Sequence, residues 1–539
     1  MNILEKSIAA ISPRWALSRM HNKFSIKAYE AVKSGRLNSA KQQHGSADTR
    51  SQFGSRSLRG QARYYQENSD LVDGLLTSMV NNVVGRDGIG VEPMPLDKNG
   101  NVHEAFAKAL LDGFAEWSLK PDTRGELTRP ELERQVCMTW LRDGECLGEH
   151  VLGRVAGFSH PNKVVPFSLQ AMEPDFLPFD FHSKSGAISQ GIERNQWGQA
   201  QAFHVYEYHP GGDHFKSLKT RRIAADRMQH IKLVKRLNQA RGVSILASCM
   251  GRLSGLQNYE ESELVAARIA AAMAFYIKKG MPDDFEEGGG EKRRSFPISP
   301  GTIFDDLKPG EDVGTIESKR PSALLQPFRD SMVRMICSAV GANFSSVSKQ
   351  YDGTYSSQRQ ELVESYVSYG VLTNTFIAQW SRPVYRRYVQ MAMMTGAIKV
   401  PADVDTRTVL LAYYQPPVMP WIDPKKEAEG FERIVAGGFG TEAEVVRGRG
   451  KNPKEVKLQR QREITENRAA GLVFSSDAYH QFYGQNNESE NQTQNQNKNK
   501  NKSHGASTSD DSDANNSSDA NNSSGTNNGS GTNNGSADG

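Results

Sequence analysis

Ser346 and Lys349 stand three residues apart in ANFSSVSKQYDGTY (342–355), the SxxK spacing in which a lysine can take the proton from a serine nucleophile. The pair sits in a Ser-rich polar loop without a recognisable partner motif, so hydrolase chemistry has only this fragment to stand on. His204, His209 and His230 fall in one strand-rich stretch, and three imidazoles can share a metal ion. Their separations match no compact ligand motif, and neither HExxH nor HxH occurs, so separately satisfied or exposed histidines are the simpler reading. Gly450-Lys451 is the only Gly-Lys pair, is followed by Asn452 and lacks the leading glycine of a phosphate loop, which leaves no cradle for ATP and no hydroxyl for its magnesium. Gly85, Gly88 and Gly90 run GxxGxG after a helical pattern, whereas a dinucleotide fingerprint runs GxGxxG after a strand. The adjacent pairs Asp283/Asp284 and Asp305/Asp306 lie in loops, where solvated charge is the default. Cys137, Cys146, Cys249 and Cys337 are too dispersed for a zinc site and read as reduced core residues. These residue types commit the chain to no catalysis, no metal and no cofactor.

The elements that would carry any site are mixed, and the fold class expected is α+β. A chain of 539 residues exceeds what one hydrophobic core usually holds, so two or more compact regions are expected. Net charge is only +4, but residues 1–66 hold twelve Lys or Arg against Glu5, Glu30 and Asp48. That basic arm either neutralises phosphates or is a solvated terminus. From Gln485 the sequence is mostly Asn, Ser, Gln, Gly, Asp and Lys, with Ala its only apolar residue and tandem DANNSS and GTNNGS copies, a low-complexity tail that cannot bury a core. No run of 18 apolar residues occurs, and the opening MNILEKSIAAISPRWALSRM is too interrupted for a secretory signal.

Leu71, Leu75, Leu76, Met79, Val80 and Val83 recur at helical spacing and predict an amphipathic helix over 64–84. Further helices fit 103–118 and 130–142, and strands fit 164–169, 202–208 and 228–234, which are rich in β-branched and aromatic residues. From Ser244 to Lys279 no proline interrupts an alanine-bearing run. It predicts one helix of about 50 Å, either a long core helix or a rod that packs beside copies of itself. Residues 282–317, dense in Gly and Pro, predict a protruding lobe. A helix over 323–340, a polar loop over 342–355 and a helix over 356–395 that Pro383 should kink or interrupt follow. Near the end, Asp423-Pro424 and Thr441/Glu444 are start signals for two more helices.

Several segments together resemble the portal proteins of lambda-type tailed phages: SRSLRGQARYYQENSDLVDGLLTSMVNNVVGRDGI, TWLRDGE (139–145), SLQAMEPDFL (168–177), GIERNQWGQAQAFHVYEYHP (191–210), RMQHI with RLNQARGVSILASCM (227–250), YEESELVAARIAAAM (259–273), YDGTYSSQRQELVESY (351–366) and WIDPKKEAEG (421–430). No single one is specific, but they occur in the family's order across roughly residues 50–470. The resemblance implies a non-enzymatic virion protein that forms a ring, usually a dodecamer, at one capsid vertex. DNA would be packaged and ejected through it, without cofactor or membrane. The implied partners are duplex DNA, the large terminase subunit, a head-tail adaptor, and capsid and scaffolding proteins.

The implied plan is a basic N-terminal arm (1–59), a wing (60–243), a stem helix (244–279), a clip (280–320) and a return stem helix (321–341). A tunnel loop (342–357), a wing/crown helix (358–400), a crown (401–484) and the tail (485–539) complete it. Lys349, Gln350 and Arg359 are then the candidates to touch DNA, and Lys292, Arg293 and Arg294 the candidates to dock the packaging motor and later the adaptor. Ordinary solvated polar side chains are the alternative for both sets. Two other readings stand beside this one: a nucleic-acid-processing enzyme, which needs a metal or nucleophile site not found above, and another virion structural protein such as a head-tail adaptor or minor capsid protein.

Overall fold

A computed structural model describes residues 45–183, 186–212, 218–271, 275–279, 311–315, 325–418 and 423–472, together with residues 12, 14, 15, 474 and 477. Helix α1 (Ala47–Asn68) is capped by the Ser46 side chain, which accepts from the Thr49 N–H. Helix α2 (Asp70–Val83) follows after a single extended residue, Ser69. The periodicity over 64–84 therefore spans two helices. Asn68, Ser69 and Asp70 are short polar residues that compete with the helix for backbone groups; Asn68 bonds the Tyr64 carbonyl and Asp70 bonds the Leu71 N–H. The predicted apolar face of α2 is nonetheless the buried one, with Leu75, Leu76, Met79, Val80 and Val83 inside and Val72 in place of Leu71.

Strand β1 (Gly90–Pro93), α3 (Glu104–Trp117) and α4 (Arg129–Asp143) come next. A Thr128/Glu131 capping box starts α4, and Gly144 ends it in the left-handed region at φ 90°. The chain then enters β2 (Glu145–Leu152) and β3 (Phe167–Met172), and after them the antiparallel succession β4 (Ile188–Ser189), β5 (Ile192–Arg194), β6 (Ala200–Tyr206) and β7 (Thr220–Ala224), which makes one sheet. Strand β8 (Met228–Lys232) returns to the other sheet, so β2 lies in its middle in the order β3-β2-β8, with Leu147 opposite both Met172 and His230. A small core of Leu147, Met172, Ile192, Phe203, Val205 and Ile223 forms around these strands. In the larger core Trp117 stacks on Phe167 at 5.0 Å and donates its indole N–H to the Phe167 carbonyl, which satisfies the polar end of a buried aromatic.

The long helix expected over 244–279 is shorter at both ends. A 3-10 turn (Ile245–Ser248) leads into α5 (Met250–Ala271), and β9 (Phe275–Lys279) pairs antiparallel with β10 (Glu311–Thr315). Phe275, Tyr276 and Ile277 favour a pleated strand once a partner is at hand, and Val313 stands opposite Ile277. The rest of the lobe, including Lys292, Arg293 and Arg294, lies outside the described residues.

Helices α6 (Leu325–Val340), α7 (Phe344–Ser348) and α8 (Tyr355–Phe376) follow, so the loop expected over 342–357 contains a short helix capped by Asn343. Pro383 does not break the next helix. A π turn (Ile377–Ser381), in which the Arg382 N–H bonds the Ile377 carbonyl, joins α8 to α9 (Arg382–Met394). The wider turn makes room for a ring that has no N–H to give. β11 (Ala412–Gln415) pairs with β1, more than 300 residues earlier in the chain. The expected caps hold at α10 (Pro424–Ala436), where Asp423 accepts from Lys426, and at α11 (Glu442–Gly448), where Thr441 and Glu444 form the box. A second compact unit starts at Lys454 and carries most of α12 (Pro453–Ala469), which buries no residue.

Candidate functional site

Glu145, the first residue of β2, is fully buried and collects four donors from three parts of the chain. Arg59 on α1 reaches Oε1 at 3.0 Å, Arg241 reaches it at 2.7 Å, His230 on β8 lies 2.9 Å from Oε2, and the Gly242 N–H donates to Oε2 at 2.9 Å. Burial alone would raise the pKa of Glu145, but Arg241, then His230 and Arg59, outweigh it and hold the carboxyl well below its usual range. Burial lowers the pKa of His230 despite the carboxylate beside it, and because an ionised carboxylate only accepts, the ring Nε2–H is the donor between them. Arg241, itself fully buried, stacks 3.9 Å over Phe179 and also donates to the carbonyls of Gln190 and Pro174.

Two glycines allow this convergence. A Cβ on Gly144 would lie 2.3 Å from the Val243 carbonyl carbon, and one on Gly242 would lie 2.0 Å from the Gly144 oxygen. Only bare backbone lets the end of α4 and residues 242–243 come so close.

A second layer continues outward. Arg63 bridges Asp143 and Asp175, and Arg142 grips Asp143 with two bonds of 2.7 and 3.0 Å. Glu173, Asp175 and His209 bring ligand atoms within 4.8 Å of one another. The guanidiniums of Arg59 and Arg63 stand beside these carboxylates, so the positive charge a cation would supply is already in place, and the group is part of an ion-pair lattice. The three histidines of the strand-rich stretch do not meet. His204 faces Glu193, His209 faces Glu173 and His230 faces Glu145. All four cysteines are buried and unpaired, and burial raises each thiol's pKa.

Arg59, Arg63, Asp143, Glu145, Asp175, His230 and Arg241 all lie in segments quoted above for the family resemblance. Those segments therefore share one buried framework that ties α1 to both sheets. No spacing in the sequence announced it, because its members are brought together only by tertiary contacts across the chain.

Of the DNA candidates, Lys349 is exposed just past α7, with a left-handed backbone (φ 58°). Gln350 is half-buried and its N–H bonds Ser348. Arg359, on the first turns of α8, is 3.4 Å from Glu427 of α10 and half-exposed. Hydrogen bonds to Tyr355 and Glu427 raise its pKa. Ser346 of the SxxK pair lies within α7, where its backbone N–H bonds the Asn343 side chain. Among the described residues no helix is long and apolar enough to cross a membrane.

The chain is mixed helix and sheet, and the buried Glu145 at its centre is answered by Arg59, His230 and Arg241. The chain belongs to the lambda family of phage portal proteins, whose model matches residues 33–372, well over half of its length. A relative described as a probable portal protein, from Halomonas phage phiHAP-1, is 23% identical over 436 residues, covering 77% of this chain and 81% of its own length. Among solved structures, the neck of the native gene transfer agent (GTA) particle, computed with C12 symmetry, aligns with a TM-score of 0.41 and 13% identity over 74% of this chain and 93% of its own. The neck of the empty particle, computed with C6 symmetry, aligns with a TM-score of 0.43 and 14% identity over 73% and 93%. The protein is a phage portal protein.

Proposed function

We infer that copies of this portal protein close into a ring, in the number of about twelve that portal resemblance implies, at one vertex of the capsid. Duplex DNA would move along the ring's axis as the head is filled and emptied. The observation that carries this reading is the family match across residues 33–372. A channel protein must not grip, so phosphate-directed and salt-sensitive contacts spread around the ring suit it, whereas base-reading contacts would trap DNA at preferred sequences. Lys349 is the foremost candidate because it is exposed on a short connection between two helices. Arg359 is a lesser one, since a phosphate would have to compete with Glu427.

By the same reading, residues 60–243 serve as wing, 244–279 and 321–341 as stem, and 401–484 as crown. Residues 280–320, with Lys292, Arg293 and Arg294 beside Asp305, Asp306 and Glu311, serve as the clip. That mixed charge suits docking of a terminase and then of an adaptor. Particle imaging and solution mass of the purified chain test the ring: particles with an axial hole are expected, and compact monomers under conditions that support capsid assembly overturn it.

A further inference from the structure

We propose that the outer face of α8 packs, within the ring, against the outer face of α6 on the adjacent copy. This assignment rests on the ring reading and names the surfaces that would build it. Val363, Val367 and Val371 are 41, 68 and 63% exposed, and their i, i+4, i+8 spacing puts them on one face of α8. Gly370 lies beside them with open space where a side chain would go. From Ser365 to Ser381 the sequence contains no charged residue. A helix face meant for water carries charge there, whereas the centre of a protein interface is depleted of it.

The chain also presents a second face of the same character. On α6, Phe328 and Met335 are 45 and 53% exposed, one heptad apart, and Ser331, Ser338 and Ala339 are exposed around them. A ring of more than two copies joins two different surfaces head to tail, so a chain that forms one must expose two complementary patches rather than a single self-matching one. The charges flanking the two faces have opposite sign. Glu364, bonded to Gln360, borders the valines, and Arg334, lying over Phe344 at 4.0 Å, borders Met335.

Size sets what to expect of a variant. The α8 face from residue 360 to 376 runs about 24 Å. At a helix width of about 10 Å it supplies roughly 240 Å², under a third of the ~800 Å² per partner that a stable contact buries. It is therefore part of the interface and not all of it.

The test uses the full chain and follows assembly by sedimentation and negative-stain imaging over a concentration series. Circular dichroism and thermal melting monitor the fold. The double variant Val367→Asp/Val371→Asp is expected to melt as the wild-type monomer does, and to raise the half-assembly concentration at least tenfold. Glu364→Arg alone is expected to raise it several-fold, and adding Arg334→Glu to return it to within twofold of wild type. If wild-type chains never form rings, the ring reading itself falls. If wild type forms rings and the valine variant does so at the same concentration, the α8 face is not buried between copies and this proposal falls alone. Failure of Arg334→Glu to rescue Glu364→Arg overturns α6 as the opposing surface.

Discussion

Replacing Glu145 with Gln keeps the shape of the buried network and removes its central charge. Arg241 is then fully buried with no carboxylate in contact, and Arg59 keeps only Asp175 at 3.5 Å. Removing one member of a buried ion pair costs about 3–5 kcal/mol, because the remaining charge stays desolvated without compensation. A folded domain is stable by about 5–15 kcal/mol, so Glu145→Gln forfeits about a fifth of that or more. Urea unfolding at pH 7 followed by circular dichroism reads this as a lower midpoint, with little change in the slope. The effect should also persist on mild acidification. Because the pKa of Glu145 is depressed in the folded chain, its contribution is fully present above the ordinary Glu value of about 4.3 and is lost only as pH falls through the folded value. Wild type and variant should thus differ as much at pH 5 as at pH 7. A loss under about 1 kcal/mol at pH 7 would refute the claim that this carboxylate neutralises two desolvated guanidiniums.

His150 is buried on β2, and desolvation, then the nearby Arg387, lower its pKa to about 4. The unfolded chain binds this proton below about pH 6.5 and the folded chain only below about 4, so wild-type stability falls as pH drops through that window, by roughly 3 kcal/mol in all; His150→Leu should flatten the profile between pH 6.5 and 4, and an unchanged profile counts against a neutral buried imidazole. Gly144→Ala adds a methyl against the Val243 backbone at a positive φ and should cost roughly 2–5 kcal/mol by urea titration. Gly148→Ala, whose Cβ would meet the Trp380 ring at 2.5 Å, should cost about 1–3 kcal/mol, because a ring can shift where backbone cannot. Lys349→Glu with Arg359→Glu should leave rings intact and reduce DNA filling of heads, measured by capsid DNA content; normal filling removes both from the channel surface. Deleting residues 285–295 should leave ring assembly unchanged and weaken terminase capture in a pull-down, and undiminished capture removes the docking assignment.

What could be read along the chain is what depends on near neighbours. The buried face of α2, the Asp423-Pro424 start of α10 and the Thr441/Glu444 box of α11 are i, i+3 or i, i+4 relations, set by helix geometry before any tertiary contact forms. The ordered series of short segments was enough to reach the portal family, though each piece is weak alone. The strand β2 escaped notice because Glu145, Glu149 and His150 interrupt its apolar alternation, and those residues are tolerable inside only because partners arrive from elsewhere. Arg59 comes from 86 residues before Glu145 and Arg241 from 96 after it. Arg359 looked available until Glu427, 68 residues on, was placed beside it, and the run to Lys279 read as helix until β10 supplied the other half of a ladder. Local periodicity and capping thus belong to the sequence itself. Whether a charge is buried, answered or left facing solvent was decided by the tertiary structure, because the cost of desolvation and the gain from a partner exist only once distant segments are brought together.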